Sequence, residues 1–215
     1  MSRDAYAEAF RKVTGRPLVA LPQLAGATDT EIFHEALALN AWPSGPESDD
    51  DTLAAYLAEL EAAFAARRDL LARHGRLLPG AGEALAALGR SPGVVQTVLT
   101  GTIRPNAVAK LRAFGLDRYL DLSVGGFGSD IHPKGTLILR SLAGAERRYG
   151  GPFPAAAAVY LADSTRDMTA ARIGGVRPVG VASGRSTVNE LLGAGAAMVL
   201  RDLTDSAAVL AAVTG

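Results

Sequence analysis

Apolar residues recur three and four apart through the first third of the chain, and the period changes after that. Tyr6, Phe10 and Val13 share one helical face ahead of Gly15 and Pro17, the pattern of a helix with one buried side and a Gly/Pro stop. A Pro-, Gly- and Leu-rich loop over 17–27 follows. Thr28 is then placed to cap a second helix that carries Ile32, Phe33, Ala36, Leu37 and Leu39 and ends at Asn40. Residues 42–46 read as a turn. The acidic run 47–51 leads into a long helix with a stripe of Leu53, Tyr56, Leu57, Leu60 and Phe64; acids there suit a solvated helix start. Residues 1–76 thus predict helix and loop only.

From Leu77 the texture alternates. A short helix starts at Pro79-Gly80 and reaches Leu88, and short β-branched runs over 94–99, 122–124, 159–161, 178–181 and 198–200 predict strands. Helical patterns lie between and after them, near 106–114, 136–149, 165–173, 188–192 and 205–213. Such alternation predicts a Rossmann-like α/β fold, a parallel sheet with helices on both faces and every strand C-terminus on one edge. The boundary falls near residue 76, with a helical module over 1–76 and an α/β core over 77–215.

Composition narrows the function classes. Lys plus Arg and Asp plus Glu number 22 each, so the net charge is zero, which argues against a general nucleic-acid binder or a polybasic membrane binder. There is no cysteine, excluding disulfides, thiolate metal sites and a thiol nucleophile. No apolar h-region stands at the N-terminus and no apolar run approaches a membrane span. A cytoplasmic protein is expected, acting on neither nucleic acid nor membrane; oligomeric state is not legible.

Chemistry gathers at strand ends. Asp163 follows the 159–161 strand and Asp167 sits four residues on, in a first helical turn. Strand ends of open α/β sheets hold ligands, and paired carboxylates suit a hard cation such as Mg²⁺. Ser164 with Asp167 also reads as a capping box, so Asp167 has a purely structural alternative. Thr100 and Gly101 end the 94–99 run, where a hydroxyl and free N–H groups suit phosphate or, equally, an ordinary capped turn. Lys134 opens a helix against the dipole preference, which points to an anion partner or to a surface lysine.

In order, a Thr after an apolar strand, a Lys at a helix start and an Ala-Asp-x-x-x-Asp after another strand resemble motifs II, III and IV of the haloacid dehalogenase superfamily. Residues 79–88, 114–119 and 174–176 resemble segments of relatives of phosphoglycolate phosphatase, and residues 1–76 look like the family's helical cap. The resemblance implies Mg²⁺-dependent hydrolysis of a small phosphorylated metabolite. It implies that Thr100 and the Gly101 N–H bind phosphoryl oxygens and that Lys134 neutralises them. Asp163 would bind Mg²⁺, with Asp167 as second ligand or as an orienting group.

One departure stands out. The family's nucleophile lies in an Asp-x-Asp-x-Thr/Val segment at the end of a first, central strand, and none of the 215 residues matches it. Asp4 lies in a helical pattern, and Thr28-Asp-Thr30 lacks both a preceding strand and a second Asp. The missing strand belongs between 94–99 and 159–161, and its loss leaves backbone groups unpaired. Three accounts are open: a reading frame whose true start lies upstream, a non-catalytic relative that binds a phosphate ligand or a protein partner, or a strand supplied by 17–21. The first is the expectation, since a central strand costs more to remove than an edge. The chain as it stands is then expected to be inactive.

Overall fold

The computed structural model describes residues 2–42, 49–130 and 134–215. Its helices are α1 (Ser2–Thr14), α2 (Asp29–Leu39), α3 (Asp49–Ala65), α4 (Asp69–His74), α5 (Ala81–Gly89), α6 (Arg104–Ala113), α7 (Lys134–Tyr149), α8 (Thr165–Ile173), α9 (Val188–Gly193) and α10 (Ser206–Thr214). Its strands are β1 (Val159–Ala162), β2 (Arg177–Val181) and β3 (Met198–Leu200). The chain divides into two compact units, one of residues 1–75, 100–113 and 127–131, the other of 76–99, 114–126 and 132–215. The turn read over 42–46 and the start of the acidic run, 47–48, lie, from 43 on, outside the described residues.

The first unit is helical. The stripes of α1, α2 and α3 meet in one core of Phe10, Phe33, Leu37, Leu53, Tyr56 and Leu60, joined by Ile103. Phe33 stacks on Tyr56 with ring centroids 4.3 Å apart. Helix α2 starts where sequence places it, because Thr28 and Glu31 close a reciprocal capping box: the Glu31 N–H donates to Thr28 Oγ1 at 3.1 Å and the Thr28 N–H to Glu31 Oε2 at 2.7 Å. Residues 17–21 form no strand, so the account that has them supply one does not hold.

The second unit is α/β. Strands β1, β2 and β3 pair in parallel in that order, with Leu161 opposite Val179 and Val181 opposite Leu200. Helices cover both faces: Val159, Leu161 and Val179 pack with residues of α5 and α10, while Tyr160 packs with Ile138 of α7 and Ala171 of α8. Alternation of inward residues along β1 assigns these two faces.

Two predicted strands do not form. Residues 94–99 make only an isolated bridge, Leu99 to Gly126, with the N–H groups of Asp121 and Gly126 donating to Gln96 and Val98 carbonyls. Leu122–Val124 is a 3₁₀ turn, because the Asp121 carboxylate accepts from both the N–H and the hydroxyl of Ser123, at 2.9 and 2.5 Å. That local bond competes with a ladder. Among the described residues β1 is an edge strand of its sheet, and an apolar cavity of about 350 Å³ lies against it, lined by Ala84, Leu85, Leu88, Leu161, Val181 and Leu203 among others.

Candidate active site

Helix α8 starts directly after β1, and its N-cap decides where Asp167 points. Ser164, extended at φ −123° and ψ 150°, accepts the Asp167 N–H at 3.2 Å and returns its own hydroxyl proton to Asp167 Oδ2 at 2.5 Å. The other oxygen, Oδ1, accepts the Tyr160 hydroxyl at 2.9 Å and pairs with the Lys134 ammonium. Lys134 arrives from the first turn of α7. Gly135 lets that turn lie close to α8, since a Cβ there would meet the Ile173 side chain. The side chains of Lys134 and Asp167 are only 11% and 8% exposed, so the pair is desolvated and Asp167 has donors on both oxygens.

Asp163 differs. It is exposed and makes no hydrogen bond or ion pair among the described residues. Gly184 lies against its carboxylate, where any side chain would collide with Oδ2. Burial, and then the Asp167 charge, push the Tyr160 hydroxyl well above the ordinary tyrosine range, so it remains a hydrogen donor.

Of the five sequence candidates, the structure brings Lys134 and Asp167 into contact and leaves Asp163 on the same strand–helix junction, one residue past β1. Asp167, expected as a second metal ligand or an orienting group, is here the counter-ion of Lys134. Thr100 and Gly101 belong to the first unit. There the Thr100 hydroxyl accepts the Thr102 N–H at 3.1 Å and the Gly101 carbonyl accepts the Asp29 N–H at 2.7 Å, the turn role named as their alternative.

Two polar roles escaped the sequence reading. Tyr160 looks like one more apolar strand position, and only its hydroxyl signals otherwise. Asp29 looks like an acid beside a cap, yet it is 2% exposed. It accepts the Tyr6 hydroxyl at 2.5 Å and the Ile103 N–H at 2.8 Å. Burial raises the Asp29 carboxyl and lowers the neighbouring Lys110 ammonium, the opposite charge of each partly opposing the shift. Nothing in the sequence pattern marks this cluster.

Residues 2–172 match the family described as haloacid dehalogenase-like hydrolase, four-fifths of the chain and both acids of the junction. The chain belongs to the haloacid dehalogenase-like hydrolase family. It is 30% identical over 150 residues to the "Probable phosphatase IndB" of Dickeya dadantii (strain 3937), a stretch that is 66% of this chain and 59% of that protein. It thus matches less than two-thirds of that relative's length. Among solved structures, a hydrolase from Pseudomonas syringae superposes with a TM-score of 0.68 at 21% identity, covering 100% of this chain and 92% of that one. A HAD hydrolase, family IA, variant 3, from Entamoeba histolytica HM-1:IMSS gives 0.66 at 20% identity over 95% and 86%. These likenesses establish the haloacid dehalogenase fold for this chain. No described helix is long and apolar enough to cross a membrane.

Proposed function

We propose that this chain carries the phosphate- and metal-binding part of a phosphomonoester hydrolase that acts, with Mg²⁺, on a small phosphorylated metabolite. The observation that carries the reading is the buried Lys134–Asp167 pair at the end of a parallel strand. An ammonium held there by a carboxylate with donors on both oxygens is fixed for an incoming anion, and fixed charge is what phosphoryl transfer requires. The phosphatase name of the Dickeya relative supports the same class.

The chain's residues fit the ion through Asp163. Its carboxylate is exposed and has no partner among the described residues, and the bare Cα of Gly184 leaves it room. Among the described residues no three His, Cys, Asp or Glu are grouped around a metal position. Mg²⁺ suits such a sparse site because it keeps several waters and completes its shell with substrate phosphate. Bound there, it would offset charge on the phosphoryl oxygens. Asp167 holds Lys134, and Lys134 faces the anion as a compact point charge. The reading rests on these residues of the second unit alone.

Titration of the full chain with inorganic phosphate, followed by ³¹P NMR, tests it. Wild type is expected to bind phosphate and Lys134→Met to lose binding, while Asp163→Asn removes the gain on adding Mg²⁺. A wild type that leaves the phosphate signal unmoved would sink the proposal. Release of phosphate from p-nitrophenyl phosphate is expected at the buffer rate, because the 215 residues hold no Asp-x-Asp-x-Thr/Val segment to supply the phosphoryl acceptor; turnover abolished by Asp163→Ala would refute that part. A second reading, a phosphate-binding protein without turnover, is favoured by the lack of an Asp-x-Asp-x-Thr/Val segment in the 215 residues.

A further inference from the structure

Tyr160 is the one residue of β1 whose side chain ends in a hydroxyl, and that hydroxyl meets two acceptors: Asp167 Oδ1 at 2.9 Å and the Leu99 carbonyl at 3.4 Å. A phenol has a single proton to give. The shorter contact to a charged oxygen takes it, and the Leu99 carbonyl is left as a weaker alternative. The oxygen that receives it is the one that binds Lys134.

Ser164 alone does not determine where Oδ1 lies. Its hydroxyl anchors Oδ2, and rotation of the carboxylate about that anchor would swing Oδ1, carrying the Lys134 ammonium with it. A lysine side chain has no rigid geometry of its own, so the carboxylate must supply the direction. The Tyr160 ring is held among Ile138, Ala171 and Leu99 on the α7/α8 face of the sheet, which fixes the hydroxyl in space as a strand-borne side chain.

We propose that Tyr160 is a positioning residue: through its bond to Asp167 Oδ1 it sets the point at which the Lys134 ammonium meets the phosphate group of a ligand. The proposal rests on the phosphate-binding reading above for its consequence, but not for its geometry. Tyr160→Phe keeps the ring and its packing while removing the donor. Lys134 then keeps its counter-ion and loses its direction.

The test uses the full chain with ¹⁵N-labelled lysine and ¹³C-labelled aspartate carboxyls. In wild type, a slowly exchanging Tyr160 hydroxyl proton is expected, correlated with the Asp167 carboxyl; its absence overturns the proposal without any variant. In Tyr160→Phe, the Asp167 carboxyl and Lys134 ammonium signals are expected to move or broaden, and inorganic phosphate to bind about tenfold more weakly, the size of one lost hydrogen bond to a charged group. Tyr149→Phe, which removes an exposed bond to Asp121, is expected to change neither. Unmoved Lys134 and Asp167 signals in a folded Tyr160→Phe chain overturn the positioning role. Failure of wild type to bind phosphate strikes only the functional reading, and the two labelled signals still decide this one.

Discussion

Tyr6 and Asp29, on different helices and 23 residues apart, share a 2.5 Å hydrogen bond inside the helical unit. The same carboxylate accepts the Ile103 N–H just ahead of α6, so one buried acid ties α1, α2 and α6 together. Asp29→Ala would leave a buried hydroxyl and a buried N–H without acceptors. Each such group costs about 1–3 kcal/mol, so a loss of about 3 kcal/mol is expected in urea unfolding. Asp29→Asn, which keeps one acceptor, should lose less.

The same carboxylate gives stability a pH dependence of definite sign. Burial raises its folded pKa above the ordinary 3.8, so between that value and the raised one the folded state holds more protons than the unfolded. Its stabilising contribution is complete below the ordinary value and is lost as pH rises through the raised one. The wild-type unfolding free energy, minus that of Asp29→Asn, should therefore fall across that window and level off above it. A difference that rises with pH there would contradict the assignment.

Lys134 and Asp167 should show strong coupling in a double-mutant cycle. Removing Lys134 as Met leaves a buried carboxylate without its counter-ion, expected to cost about 3 kcal/mol or more. Adding Asp167→Leu to that variant should cost less than the two single losses summed, since the charge it removes is the one left unpaired, although the Tyr160 and Ser164 hydroxyls then lose their acceptor. Additive single losses in chemical denaturation would show that the pair is not coupled.

Gly101→Ala is expected to be severe for a steric reason. A Cβ at Gly101 would overlap the Ala27 carbonyl and come within 2.8 Å of the Thr28 Cα, and backbone on both sides has nowhere to go. A loss above about 4 kcal/mol, or failure to fold, is expected by thermal unfolding. Gly82→Ala, where a Cβ meets nothing within 4 Å, is the control and should be neutral or slightly stabilising.

Much of the fold is legible because its signals are local. Helices α2 and α8 begin at Thr28 and Ser164, whose hydroxyls accept the N–H three residues on, and β1, β2 and β3 end within a residue of their apolar runs. The runs at 94–99 and 122–124 mislead because a strand is defined by its neighbour. Residues 94–99 have one bridge, and Asp121 with Ser123 folds the second run into a turn. Nor does sequence show that 100–113 and 127–131 pack with the helical unit, which long-range contacts alone decide. Lys134, Asp163 and Asp167 stand out because each sits at the end of an element. Tyr160 and Asp29 do not, because a ring within an apolar run and an acid beside a cap each have an ordinary explanation.

The apolar cavity beside β1 opens to solvent, so the folded chain presents a wet, greasy recess of about 350 Å³. Such recesses take up apolar rings, and an environment-sensitive dye such as anilinonaphthalene sulfonate should brighten on the native protein as it settles between Leu85 and Leu161.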